Sequence, residues 1–598
     1  MKKAATKIVN IYTLLLMAVF PLFMTDSYYN IQESKLYFFL YTTIAAAVLV
    51  AGVAVFGMIT GTPWEGELPA GPKDNKNRKK TGSKPKAKAE AKQISESAPK
   101  ESFFSLLRKH MLPADWFAAL FLIVVILSTA CSEWKYEAFW GNMGRWQGCF
   151  LWIWYIAAYT LISRFYKPKH WHMDLFIAAG LVVCVWGILD CFWKSPLGWQ
   201  VMHEHGSEKA FDFSSTFGNV NVLTAGEGMY LLAASAMFIG VEPASGRVTK
   251  LYRFRQVFYY ITACVAFMGL VCGCSDNALI SVATAICFLP FFAFRSMKGI
   301  VRYAGLLAGY FFTMLLTGWI GHIEGQRVVI RWKWGQLLEI SMEHPQWARI
   351  LFVAALILLG ILLAVWMMLR KKESDTGSSE AVTANGTSWK NAKPLRIVWA
   401  GLGVLAACVL IWVFYDANHG GHPELYEPYR GILIFDDAWG THRGYNWRLV
   451  FKYFREFPLY KKLIGSGPET YGIYTHVYDH YAMLDMFDET YDSPHNEWLQ
   501  YLFTTGILGF IGYYGLVKCA LWNGFGLGRK KVSAEAECSE DKVSSGASEA
   551  AGSLIGVAFA YALQVYTLQS FVNISIPVIV PLVILSIGVC VAVRRQAG

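Results

Sequence analysis

Long apolar runs separated by short polar segments set the pattern of this chain. Runs of roughly 18 to 22 apolar residues, each long enough to cross about 30 Å of hydrocarbon, recur along most of its length. They predict membrane-spanning helices near 8–24, 36–60, 114–131, 147–163, 174–193, 219–240, 257–273, 277–293, 302–321, 349–369, 396–415, 496–518, 552–571 and 573–594. The chain therefore reads as all-α, a polytopic membrane protein with about 12–14 transmembrane helices. Met1-Lys2-Lys3 ahead of the apolar run from Ile8 resembles a signal peptide. The following "MTDSYYN" offers no small-residue cleavage site, so the run reads as a retained first span.

Polar segments divide these runs into a first pair of spans (1–60), a basic linker (61–113), a transmembrane core (114–415), a large loop (416–494) and C-terminal spans (495–598) with a further loop near 519–551. The linker is rich in Lys, Ala and Ser, with few apolar residues before Phe103, and reads as disordered. The loop is long for a connection without a function.

Composition agrees: 55% of the 598 residues are hydrophobic and 16% charged, with mean hydropathy +0.34. The net charge of +11 could suggest nucleic acid, but its distribution excludes that. Alternating the spans from a cytoplasmic N-terminus puts Lys73–Lys92, "RFYKPKHWH", "RVTKLYRFR", "FRSMKGIVR", "RKKESD", "GRKK" and the final "RRQAG" on the cytoplasmic side, as the positive-inside rule requires. Both termini and the linker are then cytoplasmic and the 416–494 loop external. The twelve cysteines lie mostly inside apolar runs and none lies in that loop, which argues against a disulfide framework or a thiol-based zinc site. No internal repeat or pair of broken helices suggests a transporter built of inverted halves.

Within the loop, "RGYNWRLVFKYFREFPLYKKLIGSGPETYG" runs from Arg443 to Gly472. Trp447, Val450, Phe451, Phe454 and Phe457 recur at helical spacing, with Arg448, Lys452 and Arg455 mostly off that stripe. This predicts an amphipathic helix ended by Pro458 and a turn at Gly465-Ser466-Gly467-Pro468. "SPHNEWLQYLFTTGILG" (493–509) then enters a span. Ser493 is a candidate N-cap and Pro494 a candidate first helical residue, which places His495 and Asn496 in the first turn. A helix N-terminus attracts anions and disfavours a protonated imidazole. His495 can then be a base beside an anion site, or only a cap at the interface. Gly506, Gly509, Gly512 and Gly515 form a small-residue stripe that admits a close neighbour.

The spacing His495-Asn496, nine residues, then Gly506-x-x-Gly509, behind a long loop and before a late span, resembles the O-antigen ligase and polymerase superfamily. "RGYNW" followed by "FPLYKKLIGSGPETYG" is similar to that family's Arg-x-x-x-Trp, Pro-Leu and Gly-x-Gly-Pro pattern. "AFWGNMGRWQG" and "STFGNVNVL" (Gly218, Asn219, Asn221) resemble its N-terminal blocks. The resemblance implies a metal-independent glycosyltransferase or ligase without cofactor, in the bacterial cytoplasmic membrane. It would move a glycan from an undecaprenyl-pyrophosphate carrier to a hydroxyl-bearing glycan or glycolipid acceptor at the outer face. It also implies His495 as base, with Asn496 beside it, and external arginines that hold the pyrophosphate: Arg443 first, then Arg145. Where many members have Ser-Arg at a middle span, this chain has Ser275-Asp276-Asn277, and Arg327 or Arg331 is the expected substitute.

Asp492, three residues before His495, and Glu227, inside a predicted span, are supporting candidates; an intramembrane acid is a functional candidate by default or a helix-packing hydrogen bond. "HVYDH" (His476, His480) and "HGGH" (His419, His422) have loose metal-like spacing, without thiols or an "HExxH". The acidic run Asp485, Asp488, Glu489, Asp492 reads as a solvated loop or as groups that orient sugars. Two other functions compete. A metal-dependent transferase using a polyprenyl-phosphate sugar would want an acidic pair in the first outside loop, which has only the separated Asp26 and Glu33. A flippase for lipid-linked glycans would want repeat symmetry and a cationic cavity.

Overall fold

The computed structural model describes residues 1–25, 30–61, 111–192, 194, 196–197, 202–205, 208–211, 215–243, 248–273, 275–324, 337–375, 392–527 and 540–596. The 61–113 linker, except its ends, and Asp26, Arg327 and Arg331 lie outside the described residues. So do the side chain of Asp276 and residues 528–539 of the 519–551 loop, whose flanks are helical up to Gly524 and from Glu540.

Among the described residues, eleven helices are long and apolar enough to cross a membrane. Three more predicted spans are shorter helices: Cys149–Phe165, Asp276–Ala293 and Val580–Gln596. Each predicted run thus has its helix. The exception to the all-helical plan is a two-stranded antiparallel hairpin, Met202–His205 with Glu208–Phe211.

We number the helices that position the site α1 to α7. In chain order, α1 is Pro113–Cys131, α2 Val220–Gly240, α3 Trp439–Glu456, α4 Leu459–Ile464, α5 Tyr471–Tyr478, α6 Glu497–Gly524 and α7 Val580–Gln596. Nearly all of α2 is buried, and α7 is buried up to Val593, with Ser586 its one polar side chain in that stretch. These two form the centre of the bundle. Pro345–Met368 and Pro394–His419 are at the opposite extreme: few or none of their residues are covered by protein, so they present apolar surface to lipid.

The glycine stripe performs the predicted packing over most of its length. A Cβ on Gly512 would lie 2.9 Å from the backbone of Phe121, and one on Gly515 2.4 Å from the Phe117 ring, so α1 and α6 approach at glycine distance. Gly506 has a different task. It breaks α6 at φ 66°, ψ −172°, where its Cβ would lie 2.4 Å from the Leu463 carbonyl carbon. Beside this break the carbonyls of Phe503 and Thr504 accept from the N–H groups of Ser466 (3.2 Å) and Gly467 (3.0 Å), and Ser128 Oγ also donates to Thr504 (2.7 Å). The Gly465–Pro468 turn is thereby joined to the bundle.

The large loop carries short helices and its own small core: Tyr445, Leu449, Val450, Tyr453, Phe457, Tyr471, Tyr474 and Met483, with Phe503 inserted from α6. The amphipathic helix is α3, ending at Glu456 just before Pro458. Its buried stripe differs from the predicted one. Phe451 is 55% exposed, while Tyr445, Leu449 and Tyr453 are buried, because the loop core lies on that side of the helix.

Candidate functional site

Arg145, Arg443, Asp492 and His495 come together at the end of the bundle that carries the loop. Three separate segments supply them, and each is held by strained or capped backbone. Arg145 lies in the turn after Gly141, next to Trp146 at φ 57°. The same turn is tied to the loop by Asn142, which donates to the Glu469 carbonyl at 2.7 Å. Arg443 follows a left-handed turn through Gly440, Thr441 and His442 at the start of α3, and is buried at 7% exposure. Non-glycine residues with positive φ cost on the order of 1–3 kcal/mol each. Here His442, Trp146, Glu469 and His495 all belong to, or adjoin, the same cluster.

The predicted entry to the last loop-side helix is displaced. α6 begins at Glu497, and its N-cap is Asn496, whose side chain accepts from the Leu499 N–H at 3.0 Å. Ser493 is not the cap and Pro494 is not in the helix. Ser493 Oγ instead accepts from the His495 N–H (3.2 Å), and the Pro494 carbonyl accepts from the Trp447 indole N–H (3.0 Å). His495 therefore stands just ahead of the helix, at φ 49°, rather than in its first turn. Asn496 is 1% exposed and works as the cap.

His495 Nδ1 lies 3.2 Å from the Ser493 carbonyl, an acceptor only, so Nδ1 carries the ring proton and Nε2 the lone pair. Burial, then the charges of Arg145 and Arg443, push the imidazole down to about 4, against the smaller opposing effects of the Ser493 carbonyl and then Asp492. His495 is accordingly neutral near pH 7.

Arg145 meets Asp492 with both arms of its fork, Nε to Oδ2 at 2.7 Å and Nη2 to Oδ1 at 2.5 Å. Burial acts to raise the Asp492 carboxyl, but the hydrogen bonds and charge of Arg145 outweigh it and hold the group below its usual range. A residue missed in the sequence, Glu469, completes the cluster. It sits 6% exposed at φ 59° in the Gly-x-Gly-Pro turn, and burial pushes it up to about 7 despite Arg145. Its only sequence signal was an acid directly after a Gly-Pro turn.

Arg145, Glu469, Ser493, Glu497, Gln500 and Asn573 line one narrow polar cavity. Asn573 also donates to the Asn221 carbonyl at 3.2 Å. Ser275 Oγ donates to Asn221 Oδ1 at 2.6 Å, and the Asn277 amide to the Asn221 carbonyl at 3.2 Å. The "GNVN" and "SDN" segments thus buttress the same end of the bundle, and Asn219 caps α2.

Glu227 does not join the arginines. It is fully buried in α2 against Gly269, with no hydrogen-bond partner for either oxygen. His476 and His480 meet edge-to-face, with ring centroids 4.5 Å apart. Among the described residues, no group of three or more His, Cys, Asp or Glu is placed to hold a metal ion.

Residues 346–514 match the family model of O-antigen ligase, which supports placing the chain in the O-antigen ligase and polymerase superfamily. The match covers the loop, Arg443, Asp492 and His495 but not Arg145. Neither the curated proteins nor the solved structures gave a match.

Proposed function

We propose that this protein transfers a glycan from an undecaprenyl-pyrophosphate carrier to a hydroxyl acceptor at the outer face of the bacterial cytoplasmic membrane. The family match supports ligase-type glycan transfer at this coarse level. The observation that carries the finer reading is the His495 imidazole just ahead of α6, whose Nδ1 meets the Ser493 carbonyl and leaves Nε2 to accept a proton, within the field of Arg145 and Arg443. His495 Nε2 takes the proton of the acceptor hydroxyl as that oxygen bonds to the anomeric carbon. The bond from that carbon to the pyrophosphate oxygen breaks, and its electron pair leaves with the carrier. Arg443 and Arg145 hold the charge that develops there.

The electrostatics make the base depend on the donor. The two arginines that attract a pyrophosphate are the charges that depress His495. Pyrophosphate offsets them, so the imidazole gains proton affinity once the donor is seated. The membrane edge suits this arrangement, because the pyrophosphate stays at headgroup level while the polyprenyl tail remains in lipid.

The test is transfer in vesicles with purified lipid-linked donor, with and without chelator. His495→Ala is expected to insert and bind donor but transfer about 10²–10⁴-fold more slowly. Near-normal turnover by His495→Ala ends the base assignment. Loss of wild-type activity with chelator favours a metal-dependent transferase, and donor translocation without transfer favours a flippase.

A further inference from the structure

The fork of Arg145 is already filled. Its guanidinium is held in the interior, with the side chain only 12% exposed, while the Asp492 side chain that occupies it is 58% exposed. A carboxylate presents two oxygens to a guanidinium much as a phosphate does. That Nε–Nη2 edge cannot give both arms to both anions, so a phosphate that takes this edge competes with Asp492 for it.

Asp492 occupies that seat from its exposed side, so its side chain can turn to solvent while the flanking Tyr491 carbonyl stays held by Thr475. It lies in the segment between Asp488 and His495 that has no helix, and its contact with α5 is with Gly472, where a Cβ would stand 3.0 Å from Asp492. The turn that carries Arg145, by contrast, is tied to the loop by the Asn142–Glu469 bond. Asp492 is also close enough to His495 for its charge to raise the imidazole's proton affinity. While Arg145 neutralises that charge, its effect on His495 is small.

We propose that Asp492 is a positioning residue with two partners: it occupies the anion seat of Arg145 in the empty site, and the donor's pyrophosphate displaces it, leaving its carboxylate to stabilise the charge His495 acquires with the acceptor's proton. This rests on the reading of Arg145 as a pyrophosphate ligand. Displacement costs donor affinity and returns the cost as base strength, so affinity and rate respond to Asp492 in opposite directions. A carboxylate that merely held the loop together would lower both.

The experiment uses the full-length protein in nanodiscs, with undecaprenyl pyrophosphate as the binding probe and single-turnover transfer as the second readout. Asp492→Asn, close in shape and without the charge, is expected to bind the probe about threefold to thirtyfold tighter and to transfer more slowly. In an Arg145→Gln background, Asp492→Asn should no longer tighten binding, because the contested seat is gone. Arg145→Gln alone should weaken binding. If it does, and Asp492→Asn binds no tighter than wild type, the exchange is overturned while Arg145 keeps its role. If Arg145→Gln binds as wild type does, the pyrophosphate reading of Arg145 falls, and the exchange with it. Size-exclusion profiles and melting temperatures of each variant separate these outcomes from misfolding.

Discussion

Replacing Gly506 by alanine tests whether the break in α6 assembles the site. The residue has φ 66° and ψ −172°, a region essentially reserved to glycine, which costs another residue about 1–3 kcal/mol. The added Cβ would lie 2.4 and 2.5 Å from the Leu463 carbonyl carbon and oxygen and 2.6 Å from the Gly465 nitrogen. All three are backbone atoms, so no rotamer change relieves the clash, and overpacking of this kind costs about 1–3 kcal/mol more. Gly506→Ala should therefore destabilise by on the order of 2–6 kcal/mol. The strain falls on the Ser466–Gly467 junction and from there on Glu469 and Arg145, so transfer should fall more than thermal stability alone accounts for. Gly360→Ala is the control: a Cβ there meets nothing within 4 Å, and helix propensity favours alanine by roughly 0.5–1 kcal/mol. Thermal melts in detergent and transfer in vesicles, run on both variants, give the comparison. A Gly506→Ala protein that melts and transfers like Gly360→Ala would refute the assembly argument.

Arg443→Ala should lose most transfer, since a charge-assisted contact is typically worth about 1.5–3 kcal/mol, and Arg443→Lys should recover only part of it. Full activity in both variants would remove Arg443 from the donor site. Asn496→Ala should lower the melting temperature through loss of an N-cap worth about 1 kcal/mol, and Asn496→Ser should restore it. An Asn496→Ser protein that melts normally yet transfers nothing would show a role beyond capping. Glu469 is near 7 folded against an ordinary 4.5, so the folded state holds a proton that the unfolded state releases between those values. Its contribution to stability is present below about 4.5 and is lost as pH rises through about 7, a change on the order of 3 kcal/mol. Glu469→Gln should melt with a flatter dependence between pH 5 and 8, and parallel curves for variant and wild type would contradict the shift.

The spans and the loop were legible in the chain because each rests on a local property, whereas His495, Arg443 and Arg145 were singled out by the resemblance of short motifs to a family. Apolar run length alone determines whether a helix can cross a bilayer, and the basic clusters set the expected orientation without any knowledge of packing. The Gly512 and Gly515 contact with α1 was readable for the same reason, since small residues at helical spacing leave one open face. Local rules failed where two residues were equally suitable. Ser493 and Asn496 are both good caps, and the choice fell to Asn496 because the Trp447 bond to Pro494 and the positive φ of His495 hold the preceding residues out of the helix. Gly506 belongs to the same periodic stripe as its neighbours, yet the approach of Leu463 and Gly465 made it a break. Glu469 carried only its place after the Gly-Pro turn as a signal; the raised proton affinity that marks it comes from burial. Arg145 and Asp492 are 347 positions apart, and no property of either segment announces the other. Spans and candidate side chains were thus properties of the sequence, whereas the filling of the Arg145 fork, the depression of His495 and the placement of Glu227 away from both were decided by which segments the fold brings together.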